Sequence, residues 1–396
     1  MPSSVPHHPS AQRVDRALTA FGLIDRVREL PDSTRTATDA ARALQCEVRQ
    51  IVKSLVFRVE GSETPVLALV AGDHKLDERW MEGITGHGWV RADPEFARAA
   101  TGFAIGGVPP LGHLKPLRTF VDYDLLEQRE IWAAAGHPNA VCRLSPSELL
   151  RITGGTAVPV VPIVPRVSMP GSWITFDCCA TLIDGRRGLE GSLARAVALE
   201  PGVGTGSILR TYLEEERRRE EGPYAPYRAI MTDALVSAAA RLGIPADATR
   251  LRQFPDSVAD WPAFPDARAS LESLRESGYR LAVLSNLDRD LLSRTLDRHS
   301  LAVDLALSAG DTHAYKPLLA LWIRFLKETG AVPGAACHVA GRFESDISPA
   351  RLLGFRTIFV SRYEGPPEAA QVDVVPDLAE LPTHFQRTSG QVTFDR

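Results

Sequence analysis

The strongest constraint on this chain is a set of four short apolar runs in its second half, each ending in polar or small residues. They are WITFD (173–177), RLAVLSN (280–286), HVAG (338–341) and RTIFVS (356–361). Strands that are apolar on both faces must be covered on both faces, and helical stretches separate the later runs. The pattern predicts a parallel sheet wrapped by helices, with the working residues at the carboxyl ends of the strands. Between the first and second runs lies a long helical insert, about 187–261. Within it, EEERRREE (214–221) sets Glu214 and Glu215 four residues before Arg218 and Arg219, which reads as a solvated helix face laced by ion pairs.

The first half reads differently. At 396 residues the chain is too long for one ordinary core, and two domains are expected. Over 10–30, Val14, Leu18, Phe21 and Val27 recur at helical spacing, and a second short helix is expected over 38–44. IVKSLVF (51–57) and PVLALVAG (65–72) are strand-like, with a Gly-Ser turn between them. FAIGGVPPLGH (103–113) is a loop by its glycines and prolines, 139–144 is a strand, and SPSELL (145–150) is a capped helix start. TAVPVVPIVPRVSMPGS (156–172) holds four prolines, which resist helix and central strand alike, and reads as an extended linker. The boundaries that follow are a first domain at 1–160, a linker at 161–172, a second domain at 173–385 and a tail at 386–396.

Composition narrows the function classes. The formal net charge of −4 and the lack of a basic stripe do not promise the many phosphate contacts of a non-specific nucleic-acid binder. Any RNA substrate would be held modestly or delivered by a partner. No apolar run approaches the roughly 18 residues that span a bilayer, so no membrane partner is expected. The start, MPSSVPHHPSAQR, lacks the basic-then-apolar order of a signal peptide and reads as a loose tail. Five scattered cysteines without zinc-site spacing fit a reducing cytoplasm, where most act as small buried hydrophobes.

From Trp173 to about Pro382 the residues resemble the haloacid-dehalogenase (HAD) superfamily. FDCCATLID (176–184) is similar to its first motif, with Asp177 at the nucleophile position and Thr181 and Leu182 matching. LSNLD gives Ser285 and Asn286, AYKP gives Lys316, and HVAGRFESD ends at Asp346. The resemblance implies a Rossmann-like HAD fold whose insert is a helical cap, and a small-molecule substrate. A carboxylate at a strand end attacks phosphorus or carbon to form a covalent intermediate. A lysine beside it balances charge, and a serine hydroxyl grips the leaving oxygens. Two departures stand out. Cys179 replaces the second aspartate of the family's phosphatases, and a thiol with an ordinary pKa near roughly 8.5 is a poor substitute for it. Gly341 stands where a carboxylate would hold magnesium, which prefers oxygen ligands. That leaves Asp177 and Asp346 as the candidate Mg²⁺ ligands, with Glu344 as a further carboxylate, and the cofactor in doubt. The family's dehalogenases use no metal but carry an aromatic residue where Cys179 lies. A metal-dependent phosphatase, another covalent hydrolase and a non-catalytic scaffold all stay open.

Over about 10–160 the segments, taken together, resemble the YbaK/prolyl-tRNA-editing family of aminoacyl-tRNA deacylases. The resemblance rests on TATDAARALQC, QIVKSLVF, LALVAGDHKLD, TGFAIGGVPPLGH, IWAAAGHPNAV and RITGG, in that order. It implies a mixed α/β editing domain that hydrolyses the ester of a wrongly charged tRNA. The partners implied are the aminoacyl-tRNA acceptor end and, as a second candidate, an aminoacyl-tRNA synthetase. Lys53 matches the family's key lysine, and Gly106, Gly107 and Pro110 lie in the loop expected against the substrate. Oriented backbone amides stabilise charge building on the ester carbonyl, and lysine binds the terminal phosphate or ribose region as a point charge. The substrate's own hydroxyl or thiol assists in this family, so no cofactor is required. His113 and His137 each follow a glycine and are candidates of lower rank, and Asp124 reads as a helix cap. The whole is thus a two-domain α/β chain. It is read as a trans-editing deacylase fused to a HAD domain; the alternatives are a HAD hydrolase with an aminoacyl- or nucleotide-binding module, and a non-catalytic binding protein.

Overall fold

The computed structural model describes residues 8–30, 36–162, 172–197, 205–245 and 247–389. Most of the expected linker (163–171) and the two chain ends (1–7 and 390–396) lie outside the described residues. The chain divides into two compact units, Met1–Pro165 and Arg166–Arg396. No helix among the described residues is long and apolar enough to cross a membrane.

The first unit is built on a mixed sheet of eight strands. They are β1 (Val27–Glu29), β2 (Ile51–Val59), β3 (Pro65–Ala71), β4 (Trp89–Arg91), β5 (Arg118–Asp122), β6 (Ile131–Ala134), β7 (Ala140–Leu144) and β8 (Thr156–Val158). Their order is β1-β7-β6-β2-β3-β5-β8, with β4 added to β2. The β2–β3 hairpin is the centre, and its antiparallel register sets Lys53 opposite Val70. Phe57, Leu67, Leu69 and Met81 are fully buried around it, and each contributes on the order of 1.5–3 kcal/mol of burial. The capping box expected at Ser145 is present: Glu148 N donates to its hydroxyl, Ser145 N donates to the Glu148 carboxylate, and Gly154 in the left-handed region ends the helix.

Three expectations are corrected in this unit. The helix over 10–30 stops at Ala20, because Gly22 and Asp25 take positive φ and turn the chain into β1, which pairs with β7. Part of the proline-rich stretch is a strand: β8 adds in parallel to β5, and the prolines that follow come after its last paired residue, where no ladder amide is lost. Asp124 does not cap a helix; the Asp122 carboxylate accepts from the Asp124 amide and takes that role.

The second unit holds a fully parallel six-stranded sheet: β9 (Trp173–Phe176), β10 (Arg280–Ser285), β11 (Leu305–Ser308), β12 (Cys337–Ala340), β13 (Arg356–Val360) and β14 (Asp373–Val375). Their order is β11-β10-β9-β12-β13-β14, so the runs read from sequence form the middle of the sheet and two short strands flank them. The insert folds as helices Gly185–Ala196, Thr205–Glu220, Tyr227–Arg241 and Ala248–Gln253, packed through Tyr212, Ile230, Met231 and Leu235. Asp288 ties it to the sheet half by accepting from the first amides of the Tyr227–Arg241 helix, at 2.8 and 2.9 Å. The EEERRREE run is not simply a solvated face. Glu215 is buried and binds Arg218, Arg219 and Arg241, while Glu216 and Glu220 turn inward over the ends of the central strands.

Candidate active sites

In the first unit the candidate site grows from β2 and the loop after β3. Gly72 opens that loop, and a Cβ there would collide with the Val48 carbonyl oxygen, so only glycine lets the chain pass. Two residues on, the His74 carbonyl accepts a hydrogen bond from the Lys53 ammonium. Lys53 is half-buried, and burial pulls its pKa below the ordinary lysine value against the opposing pull of Asp73 and Asp122. The His74 ring is held from both sides: Nδ1 lies 2.8 Å from Asp122 Oδ2, and Nε2 lies 3.0 Å from Asp124 Oδ2. Those hydrogen bonds, Asp122 first and then Asp124, outweigh burial and raise the imidazole to about 10. In the protonated form each ring nitrogen donates to one of the two carboxylates. Asp122, 1% exposed, also accepts from the Ala71 amide at 3.0 Å, so β3, β5 and the loop are joined at one carboxylate.

Lys53 and Gly106 line one cleft of about 470 Å³, together with Ile105, Val108, Trp132 and His137. Gly106 has φ +89° with open space where a Cβ would lie, so its glycine answers to backbone conformation. Gly107 and Pro110 do not line the cleft. Gly107 packs on the Gly136–His137 backbone, where a Cβ would meet His137 N at 3.0 Å, and Pro110 is buried in the loop. The two histidines part company. His113 Nε2 lies 2.8 Å from the Pro109 carbonyl and braces the loop, whereas His137 reaches the cleft wall. The clamp on His74 was not foreseen. Its only trace in the sequence is two aspartates two residues apart and a histidine in a distant loop.

In the second unit Asp177 follows β9, and its amide donates to the Val339 carbonyl at 3.1 Å. The Lys316 ammonium lies 2.6 Å from Asp177 Oδ1 and 2.5 Å from Asp346 Oδ1, and also donates to the Leu284 carbonyl at 3.0 Å. All three charged groups are buried. Burial disfavours the Lys316 charge, but Asp177 and Asp346 outweigh it and raise the lysine. Burial and Asp346 push Asp177 up while Lys316 pulls it back, and Asp346 is held below the usual carboxylate range by Lys316 and His338 despite its own burial. Thr181 Oγ1 donates to Asp177 Oδ2 at 3.1 Å and accepts from the Gly341 amide at 3.0 Å. The Asn286 carbonyl oxygen accepts from the Lys316 amide at 2.8 Å, and Ser285 Oγ accepts from Leu287 N at 3.2 Å. The five sequence-predicted groups Asp177, Thr181, Asn286, Lys316 and Asp346 are thus one connected network, with Ser285 beside it.

The expected departures have a structural basis. A Cβ at residue 341 would collide with the Ala180 carbonyl oxygen, so no carboxylate can stand there on this backbone. Ala180 itself has φ +74°, a left-handed conformation costly to any residue but glycine. Cys179 is half-buried. Magnesium wants several oxygen ligands; here Asp177 and Asp346 both bind the Lys316 ammonium, and position 341 carries no side chain. The donor set does not fit the ion. Sequence reasoning also missed Arg342, Glu216 and Glu220, which surround the site from the loop after β12 and from the cap.

Comparison with known proteins divides the chain at the same place. The aminoacyl-tRNA editing domain matches residues 31–152, and haloacid dehalogenase-like hydrolase matches residues 172–354. The chain is 30% identical over 140 residues to the uncharacterized protein YwhH of Bacillus subtilis (strain 168), covering 35% of this chain and 88% of that protein. It is 28% identical over 166 residues to (S)-2-haloacid dehalogenase 1 of Pseudomonas sp. (strain CBS-3), covering 41% of this chain and 73% of the relative. A crystal structure of a protein proposed as a trans-editing enzyme for prolyl tRNA synthetase shares 47% identity, covering 40% of this chain and 99% of its own, with a TM-score of 0.38. The chain therefore belongs to the aminoacyl-tRNA editing domain family over its first unit and matches the haloacid dehalogenase-like hydrolases over its second.

Proposed function

We propose that the first unit is a trans-editing deacylase that hydrolyses the ester between a wrongly attached amino acid and the terminal ribose of tRNA. The observation that carries this reading is the half-buried Lys53 ammonium in the same cleft as the Gly106 backbone, in a unit of the editing-domain family. Water attacks the ester carbonyl carbon, the bond to the ribose oxygen breaks, and that oxygen leaves as a hydroxyl. Lys53 holds the acceptor end as a point charge, and backbone amides of the Gly106 loop face the oxygen on which charge develops. The chain's mild net charge suits recognition of the acceptor end alone, with any further RNA grip supplied by a partner such as a synthetase. The test is a panel of mischarged tRNAs incubated with the full-length protein and with Lys53→Ala. Deacylation of at least one, lost about 100-fold or more in the variant, is expected. No deacylation across a complete panel refutes the reading.

The second unit is a covalent hydrolase that works without a divalent cation. Support comes from Lys316, which supplies at Asp177 the positive charge that a metal would otherwise bring, and from the excluded side chain at Gly341. Asp177 forms the covalent intermediate, and Lys316 and Thr181 orient it. Turnover of a halogenated acid or phosphate ester that survives chelation and vanishes in Asp177→Asn is expected; dependence on added magnesium would overturn it.

A further inference from the structure

Three side chains around Asp177 are used by none of the chemistry above: Arg342, Glu216 and Glu220. Arg342 sits immediately after the chain position that excludes a side chain, on the loop leaving β12. Among the described residues its guanidinium has neither a hydrogen-bond nor an ion-pair partner, yet it lies within electrostatic reach of Asp177, Cys179, Glu216 and Asp346. It is exposed to solvent beside the nucleophile's loop and is not part of the packed core. A guanidinium left without an acceptor beside a nucleophile is a ready site for an oxyanion.

The Thr205–Glu220 helix of the cap brings Glu216 and Glu220, one turn apart, within electrostatic reach of the same guanidinium. Glu216 is fixed by the hydroxyls of Tyr212 and Tyr227, each 2.8 Å from Oε1. Glu220 meets Asn286 Nδ2 at 3.4 Å, and Asn286 in turn holds the Lys316 backbone. Burial and the neighbouring Glu216 push Glu220 up to about 8. Two neighbouring acids disfavour each other's charge, and an incoming cation relieves both. Lys316 is already bound to Asp177 and Asp346, so beside the nucleophile stand one guanidinium without a bonded partner among the described residues and, within its electrostatic reach, two acids.

We propose that the substrate of the second unit is bipolar, an amino-acid-like molecule whose carboxylate is held by Arg342 and whose ammonium is held by Glu216 and Glu220, with its electrophilic centre at Asp177. For a chlorinated substrate the Asp177 oxygen forms a bond to the carbon as the carbon–chlorine bond breaks and chloride leaves. Water then cleaves the ester at the Asp177 carbonyl, giving the hydroxy compound, a proton and the regenerated carboxylate. This rests on the reading of Asp177 as a nucleophile.

The experiment compares matched pairs on the full-length protein: 3-chloroalanine against 3-chloropropanoate by chloride release, and O-phosphoserine against 3-phosphoglycerate by phosphate release. The amino-bearing member of at least one pair should be favoured about tenfold or more in kcat/KM. Glu216→Gln combined with Glu220→Gln should bring that preference close to one, whereas Arg342→Gln should weaken both members. Circular dichroism and thermal melting of each variant check folding, and Glu220→Asp should restore part of the preference. Equal or better turnover of the amino-free members, or a preference that survives the double substitution, overturns the proposal. So does failure of all four compounds both to turn over and to bind by calorimetry. If Asp177→Asn is inert while amino-free acids win, the hydrolase reading stands and only the bipolar substrate falls; if wild type and Asp177→Asn turn over equally, the hydrolase reading itself falls.

Discussion

Removing the His74 ring probes the first unit most sharply, because this one side chain ties two carboxylates and its backbone seats the lysine. His74→Ala strips Asp122, 1% exposed, of its partner at 2.8 Å, and strips Asp124 of its partner at 3.0 Å. Raising an imidazole from 6.5 to about 10 sets a ceiling of about 5 kcal/mol on what its charged form contributes. The ring is 20% exposed and Asp124 is 29% exposed, so water screens part of this, and about 2–3 kcal/mol is the expected share. The folded value lies above the unfolded one. The contribution is therefore complete below pH 6.5 and is lost as pH rises through about 10. The variant should be less stable by about 2–3 kcal/mol at neutral to mildly acidic pH, and the gap should narrow steadily toward the alkaline end. Urea denaturation of the full-length protein, read by pulsed hydrogen exchange of peptides over 65–77 and 118–126, follows this unit alone. A gap that is flat with pH, or that widens toward alkaline pH, refutes the assignment of a clamped imidazolium.

In the second unit, Lys316→Met leaves Asp177 and Asp346 buried without their shared cation and should cost about 3–5 kcal/mol in thermal or urea unfolding, alongside loss of any turnover. Ala180→Gly removes a left-handed alanine and should raise stability by about 1 kcal/mol, seen as a higher unfolding midpoint. Gly341→Asp restores a carboxylate to the chain but not to the site; it should destabilise by about 1–3 kcal/mol or more, and phosphate release with and without magnesium should stay equal.

The sequence carried the fold wherever burial is two-sided or punctuated. The four runs of the parallel sheet are apolar because helices cover both faces, and the Ser145 helix announces itself through its cap and its closing glycine. Edge strands were not legible. β14 (Asp373–Val375) and β8 (Thr156–Val158) are each three residues long and pair on one side, too short for a period to show. The site divides in the same way. Asp177 stands at a strand end, Lys53 on a strand and Lys316 in the short AYKP motif, whereas the His74 clamp joins residues 48 positions apart, a distance no local pattern spans. Glu216 and Glu220 were hidden for another reason. In a run of alternating charge blocks every residue looks solvated, and only the packing of Tyr212 on the same helix decides that one stripe of acids turns inward.

The glycine at position 341 is tied to the loop that carries the nucleophile. Ala180 is held in the left-handed region, and its carbonyl oxygen fills the space into which a side chain at residue 341 would project. The amide of Gly341 is meanwhile bound to Thr181, whose hydroxyl in turn fixes Asp177, so the glycine backbone is part of the nucleophile's support. A carboxylate cannot be returned to position 341 without moving the loop that holds Asp177. The charge of Asp177 is balanced by Lys316 at 2.6 Å, which also satisfies Asp346. That balance leaves Arg342 uncommitted. Positive charge around Asp177 is thus divided between Lys316, which touches the nucleophile, and Arg342, which stands exposed within its electrostatic reach.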